Sequence, residues 1–214
     1  MTDQGAHMNK FSPNHGPADV RVVLRRVIDL MQYFFDVATN DGKTVGPREC
    51  YDPENIRAEL NFLLAFHDHA ALRKQILAPY TSSVVFRFPT VWCCREHDPM
   101  TWLFMLVCIR AKIHPKNCLN AFLRESDFRR LNKVSHKLRR PKLSLLNARE
   151  PEDFWLFLEA VDQNGGPSVV YCDWQLASEE LKTVEAITKH QEILFVWPVA
   201  PPAKMSLLIY QIVL

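Results

Sequence analysis

Apolar side chains recur at spacings of three and four from Val20 onward: Val20, Val23, Leu24, Val27, Ile28, Met31, Phe34 and Phe35 fall on one stripe, with Arg21, Arg25, Asp29 and Asp36 largely off it. That period predicts an amphipathic helix from about residue 19. Proline then follows a polar residue at Asp52-Pro53, Asp98-Pro99, His114-Pro115 and Glu150-Pro151. Proline is favoured at the first helical position, where its missing N–H has no intrahelical partner to lose. These four steps predict helices over 53–66, 99–113, 115–124 and 151–162, and periodicity adds 69–77 and 126–138. Short connections make neighbouring helices antiparallel, so 18–162 reads as stacked helical pairs.

Two stretches break this pattern. In SSVVFRFPTVWCC the β-branched and aromatic content favours a strand, while its place between helices favours a helix kinked near Pro89, and the segment is assigned to helix. After Gly165-Gly166-Pro167, the runs SVVYCDW, EILFVWPV and MSLLIYQIVL read as strands around a polar helix from about Ser178 to His190. A helix followed by two strands and a proline-rich turn builds a winged-helix-like unit; a small α/β sheet is the competing arrangement. The apolar end at Leu214 reads as a core strand or as the cut edge of a longer protein. The resulting division is a flexible lead-in over 1–17, a helical repeat domain over 18–140 and a winged-helix-like module over 141–214.

Composition narrows the function classes. Of 214 residues, 48% are hydrophobic and 23% charged, which excludes a disordered chain. Six Gly beside 14 Pro, with no GxGxxG and no Walker loop, exclude a glycine-rich nucleotide cradle. The longest apolar stretch, Trp102–Ile109, is far below the roughly 20 residues of a membrane span, so no membrane role is expected. Six irregularly spaced Cys (50, 93, 94, 108, 118 and 172) suit buried reduced thiols in a cytosolic or nuclear protein.

Cys93, Cys94, His97, Cys108 and Cys118 are the candidate metal ligands. Their spacing matches no zinc knuckle, so they are assigned to the core, and His67-Asp68-His69 to a polar helix end. No metal or cofactor is therefore expected. Cys172 and Asp173, with His190 as base, are the candidate nucleophile, acid and base of a small α/β hydrolase or transferase, but nothing in the sequence brings the three together. Trp92 and Trp174, beside polar residues, are candidate surface stacking groups.

The sharper signal is charge. Arg124, Arg129, Arg130, Lys133, Lys137, Arg139, Arg140 and Lys142 stand against Glu125 and Asp127, a local formal charge of +6 in a chain of net +2. Such segregation steers phosphate-bearing partners, and these eight residues are the candidate contacts to an RNA or DNA backbone.

In this order the elements resemble the SAC/GANP family, the helical scaffold of nuclear transcription and mRNA export. The resemblance rests on PADVRVVLRRVIDLMQYFFD, ENIRAELNFLLAFHD, TSSVVFRFPTVWCCREHDPMTWLFML, ESDFRRLNKVSHKLRRPKLSL and NAREPEDFWLFLEAV, in family order over residues 17–162. The family's Asp-Arg-x-Arg-x-x-Arg-x-Asp run has no counterpart between Val37 and Asn55. The resemblance implies a mainly α protein, PCI-like stacked hairpins closed by a winged helix. It also implies a nuclear, non-catalytic scaffold for mRNA export in a hetero-oligomer. Its partners would be a PCI-type subunit, docked through the winged helix at Phe195 and Trp197, and a small acidic subunit. The alternatives from other classes are the Cys172/Asp173 enzyme and a structural adaptor without nucleic-acid binding.

Overall fold

The computed structural model of the chain describes residues 16–39, 52–66, 69–199 and 209–213. Most of the lead-in, Cys50, His67, Asp68 and Leu214 lie outside them. The order is β1 (Ala18–Asp19), α1 (Val20–Thr39), α2 (Pro53–Phe66), α3 (His69–Val84), β2 (Thr90–Cys94), α4 (Pro99–Ala111), α5 (Pro115–Leu119), α6 (Glu125–Leu138), β3 (Leu143–Asn147), α7 (Pro151–Asn164), β4 (Val169–Cys172), α8 (Ser178–Thr188), β5 (Leu194–Val199) and β6 (Ile209–Val213). Pro53, Pro99, Pro115 and Pro151 each open a helix as expected. The protein is mainly helical, with strands gathered into one mixed sheet.

The sheet corrects the finer expectation. Its order is β1-β3-β2-β4-β5-β6, with β3, β2, β4 and β5 parallel and the two edge strands antiparallel to their neighbours. The segment assigned to a kinked helix instead leaves α3 at Val84 and becomes β2, a central strand flanked by β3 and β4. All five residues of β2 are buried, and a strand covered on both faces shows no polar alternation to betray it. Strands on both sides of the 140/141 boundary pair directly, Thr90 to Cys94 of β2 against Leu143 to Asn147 of β3. The last three strands therefore extend a common sheet across that boundary.

Strand alternation divides the core. Trp92, Cys94, Leu143 and Leu145 face a large cluster with α1 to α6, whereas Val91, Cys93, Leu146, Val170, Cys172, Phe195 and Trp197 face a smaller one with α7 and α8. Phe195 and Trp197, expected at a docking surface, are 0% and 3% exposed because α7 and α8 cover their face of the sheet. Trp92 and Trp174 are likewise buried, at 1% and 4% exposure, and offer no stacking surface. Phe34, Phe104, Phe154 and Phe195 are fully buried, each stabilising the fold by roughly 1.5–3 kcal/mol.

Candidate nucleic-acid interface

Open parallel sheets usually bind ligands outside the carboxyl ends of their strands, where neighbouring connections leave in opposite directions. Here that point lies between β2, which connects outward to β3, and β4, which connects outward to β5. The protein's own side chains fill it. Asp173, immediately after β4, accepts N–H bonds through Oδ1 from Arg95 (2.7 Å) and Glu96 (3.2 Å), and through Oδ2 from His97 (3.4 Å) and the Trp102 indole (2.7 Å). Burial pushes its pKa from 3.8 up to about 6 against the pull of those donors.

The groups around it are equally committed. Arg95 donates to Glu180 (2.8 Å) and to the Ala148 carbonyl (3.1 Å), and its guanidinium lies 4.1 Å from the centre of the Trp174 ring. Glu180 also accepts from the Ala177 N–H and the Trp174 indole. On the β3 side, Glu59 accepts from the Asp98 N–H and the Thr101 hydroxyl and pairs with Arg149. Asp98 caps α4 through the Met100 N–H, and burial raises its pKa. This network clamps the β2–α4 turn onto β4.

The candidate enzyme residues do not converge. The Cys172 thiol is buried, hydrogen-bonded with Cys93 across the β2–β4 pair, and held well above its ordinary pKa by burial, the opposite of nucleophile activation. His190 follows α8 at the other end of the strands, where its Nε2 lies 2.7 Å from Asp162. The cysteines suggested as metal ligands are separated too. Cys93 and Cys94 face opposite clusters, and Cys108 and Cys118 form their own pair at 3.7 Å in the larger one.

The basic residues sit on α6 and on the link that carries it into β3. Leu131, Ser135 and Leu138 turn inward, and this places Arg129, Lys133 and Lys137 on the exposed side. Part of the charge is internally spent. Arg129 pairs with Glu125 at 2.5 Å, while Arg130 pairs with Asp127, whose carboxyl also accepts the Arg124 N–H and is held below its usual pKa first by that bond and then by Arg130. Among the described residues Lys133, Lys137, Arg139, Arg140 and Lys142 are exposed and form no ion pair.

The link ends at the amino edge of the sheet, where the Lys142 carbonyl accepts the Thr90 N–H (2.8 Å). Four loops enter the strands at this edge, 85–89, 139–142, 165–168 and 189–193, and together carry five Lys or Arg and one Glu. The described loops at the carboxyl edge, 95–98, 148–150 and 173–177, carry two Arg and four acids. Among the described loops, charge is thus polarised along the strands. Sequence reasoning found the cations of α6 and its link, but not Arg87 or Lys189, which join them only through the sheet topology.

Comparison with protein-family models and with curated proteins finds no match for this chain.

Proposed function

We propose that this protein is a non-catalytic module that binds the phosphate backbone of nucleic acid along α6 and the amino edge of its sheet. The observation that carries this reading is the run of exposed cations Lys133, Lys137, Arg139, Arg140 and Lys142, without an ion pair among the described residues and at a distance from carboxyl-edge loops of opposite sign. Arg124, Arg129 and Arg130 take a lesser part, because the last two already hold carboxylates and Arg124 starts the helix. Lysine and arginine bound to phosphates release condensed counterions, so affinity for a single strand falls with salt at a log–log slope of about −0.7 per phosphate contacted.

The test replaces Lys133, Lys137 and Arg140 with Glu. Binding then weakens for every sequence and the salt slope flattens, with the circular dichroism of the fold retained. Unchanged affinity and slope in the folded variant overturn the reading. A role in nuclear mRNA export, with a PCI-type subunit and a small acidic subunit as partners, is supported by the family resemblance alone, and the through-running parallel sheet weighs against its PCI-like and winged-helix parts. The enzyme alternative loses support from the separation of His190 from Cys172 and Asp173.

A further inference from the structure

The loop between α3 and β2 is built against the usual rule that large apolar side chains go inside. Val84 to Pro89 are six consecutive exposed residues, with Val85 64%, Phe86 59% and Phe88 46% exposed. The Phe86 and Phe88 rings stack on one another, their centroids 6.0 Å apart and their planes 22° apart. Between them Arg87 adopts φ +58, a left-handed conformation uncommon outside glycine and a form of strain that clusters at functional sites.

The loop is also anchored. The Val85 N–H bonds the Thr81 carbonyl (2.8 Å), the Phe88 N–H the Ser82 carbonyl (3.3 Å), and the Thr90 hydroxyl the Phe88 carbonyl (2.9 Å). Exposed aromatic area held by backbone bonds loses little further entropy on binding.

Position supplies the second observation. α3 and α6 pack on the same face of the sheet and run into adjacent parallel strands, so their exit loops lie side by side. Phe88 is two residues from Thr90, which is bonded to Lys142. A cleft of about 630 Å³ between Pro89, Thr90, Pro141, Lys142 and Gly166 lies on one side of the loop. A second, of about 640 Å³, lies on the other between Phe88, Ser168, Lys189, His190 and Ile193.

We infer that the stacked Phe86–Phe88 pair is a base-stacking platform, and that the ligand of the basic edge is single-stranded RNA or DNA whose unpaired bases leave the backbone to lie on these rings. This rests on the backbone-binding reading above and gives it a substrate class. Cations that track a backbone, beside aromatic faces that accept any base, are the two components of sequence-tolerant single-strand binding. A duplex keeps its bases stacked inside and presents nothing to the rings. An anionic lipid surface would also meet arginine and phenylalanine, but a flat surface makes no use of the cleft that Phe88 lines or of the one beside Pro89, whereas a threaded strand does.

The experiment measures binding of the full chain, by fluorescence anisotropy, to a labelled oligouridine of about 12 nucleotides, within the range a small domain covers. Three further probes are an abasic oligomer of equal length, a duplex of equal length and phosphatidylserine vesicles. The wild type binds oligouridine about tenfold or more tighter than the abasic oligomer, as one stacked base allows. The Phe86→Ala/Phe88→Ala variant loses that preference, while its abasic affinity and salt slope stay as in the wild type. Phe86→Leu/Phe88→Leu, which keeps apolar bulk without a ring, loses it as well.

Equal affinity of the wild type for oligouridine and the abasic oligomer, both salt-sensitive, overturns the platform and leaves backbone binding standing. Binding to neither overturns both. Full affinity in the Leu variant, equal affinity for the duplex, or Phe-dependent capture by vesicles without preference for oligouridine also overturns the platform.

Discussion

Asp173 gives the fold a pH dependence opposite to that of a carboxylate in a surface ion pair. Its folded pKa is raised from 3.8 to about 6, so between those values the folded state holds a proton that the unfolded chain releases. Stability therefore falls as pH rises through that window and levels off above it. At 1.36 kcal/mol per unit the fall is about 3 kcal/mol, a large part of the stability of a domain this size. Asp173→Asn removes the titration but places an NH2 where one oxygen accepted two N–H bonds. Either orientation faces a pair of donors, Arg95 with Glu96 or His97 with Trp102. Two donors left without an acceptor cost roughly 1–3 kcal/mol each. The variant is thus less stable than the wild type at about pH 4, and the gap narrows by about 2.4 kcal/mol by about pH 7. Urea unfolding of both proteins across that range, followed by circular dichroism, measures the gap directly and cancels every other titrating group. A gap that stays constant, or that widens as pH rises, refutes the assignment of Asp173 as a carboxylate held against its burial by four N–H donors.

Two further outcomes follow from the same network. Trp102→Phe keeps most of the buried ring but removes the 2.7 Å indole bond to Asp173; it destabilises the protein by about 2 kcal/mol in urea unfolding and shifts the Asp173 titration to higher pH, whereas wild-type stability would contradict that bond. Cys93, Cys94, Cys108, Cys118 and Cys172 are buried, so an alkylating reagent at neutral pH leaves them unmodified until urea unfolds the chain; peptide mapping that finds native Cys172 modified at the rate of a free thiol would contradict its burial.

What could be read from the chain was local. Proline at a first helical turn is a signal confined to a few residues, and α2, α4, α5 and α7 all begin where it predicted. The one-turn scale on which Arg129 faces Glu125 and Arg130 faces Asp127 is equally local, since these are i,i+4 and i,i+3 pairs on one helix. Strand β2 was hidden for the reason that makes it central: with both faces covered, TVWCC carries no alternation, and the partners that define it are about 50 and 80 residues away. Phe195 and Trp197 were misjudged because their exposure depends on α7 and α8 covering that face, which no local pattern states. The exposed Phe86–Phe88 pair was masked by its own hydrophobicity. The one local hint was an Arg between two Phe just before a proline, a sequence poor at filling a core.

In this reading the amino edge of the sheet, and not the carboxyl edge, receives a single nucleic-acid strand. Amide hydrogen exchange of the full chain, with and without oligouridine, tests it most directly, because both edges report in one measurement. Binding at the amino edge slows exchange over residues 84–89 and 133–142 and leaves 95–98 and 173–177 unchanged. Protection confined to the carboxyl-edge loops, or no protection at either edge under conditions where the oligomer is bound, would contradict it.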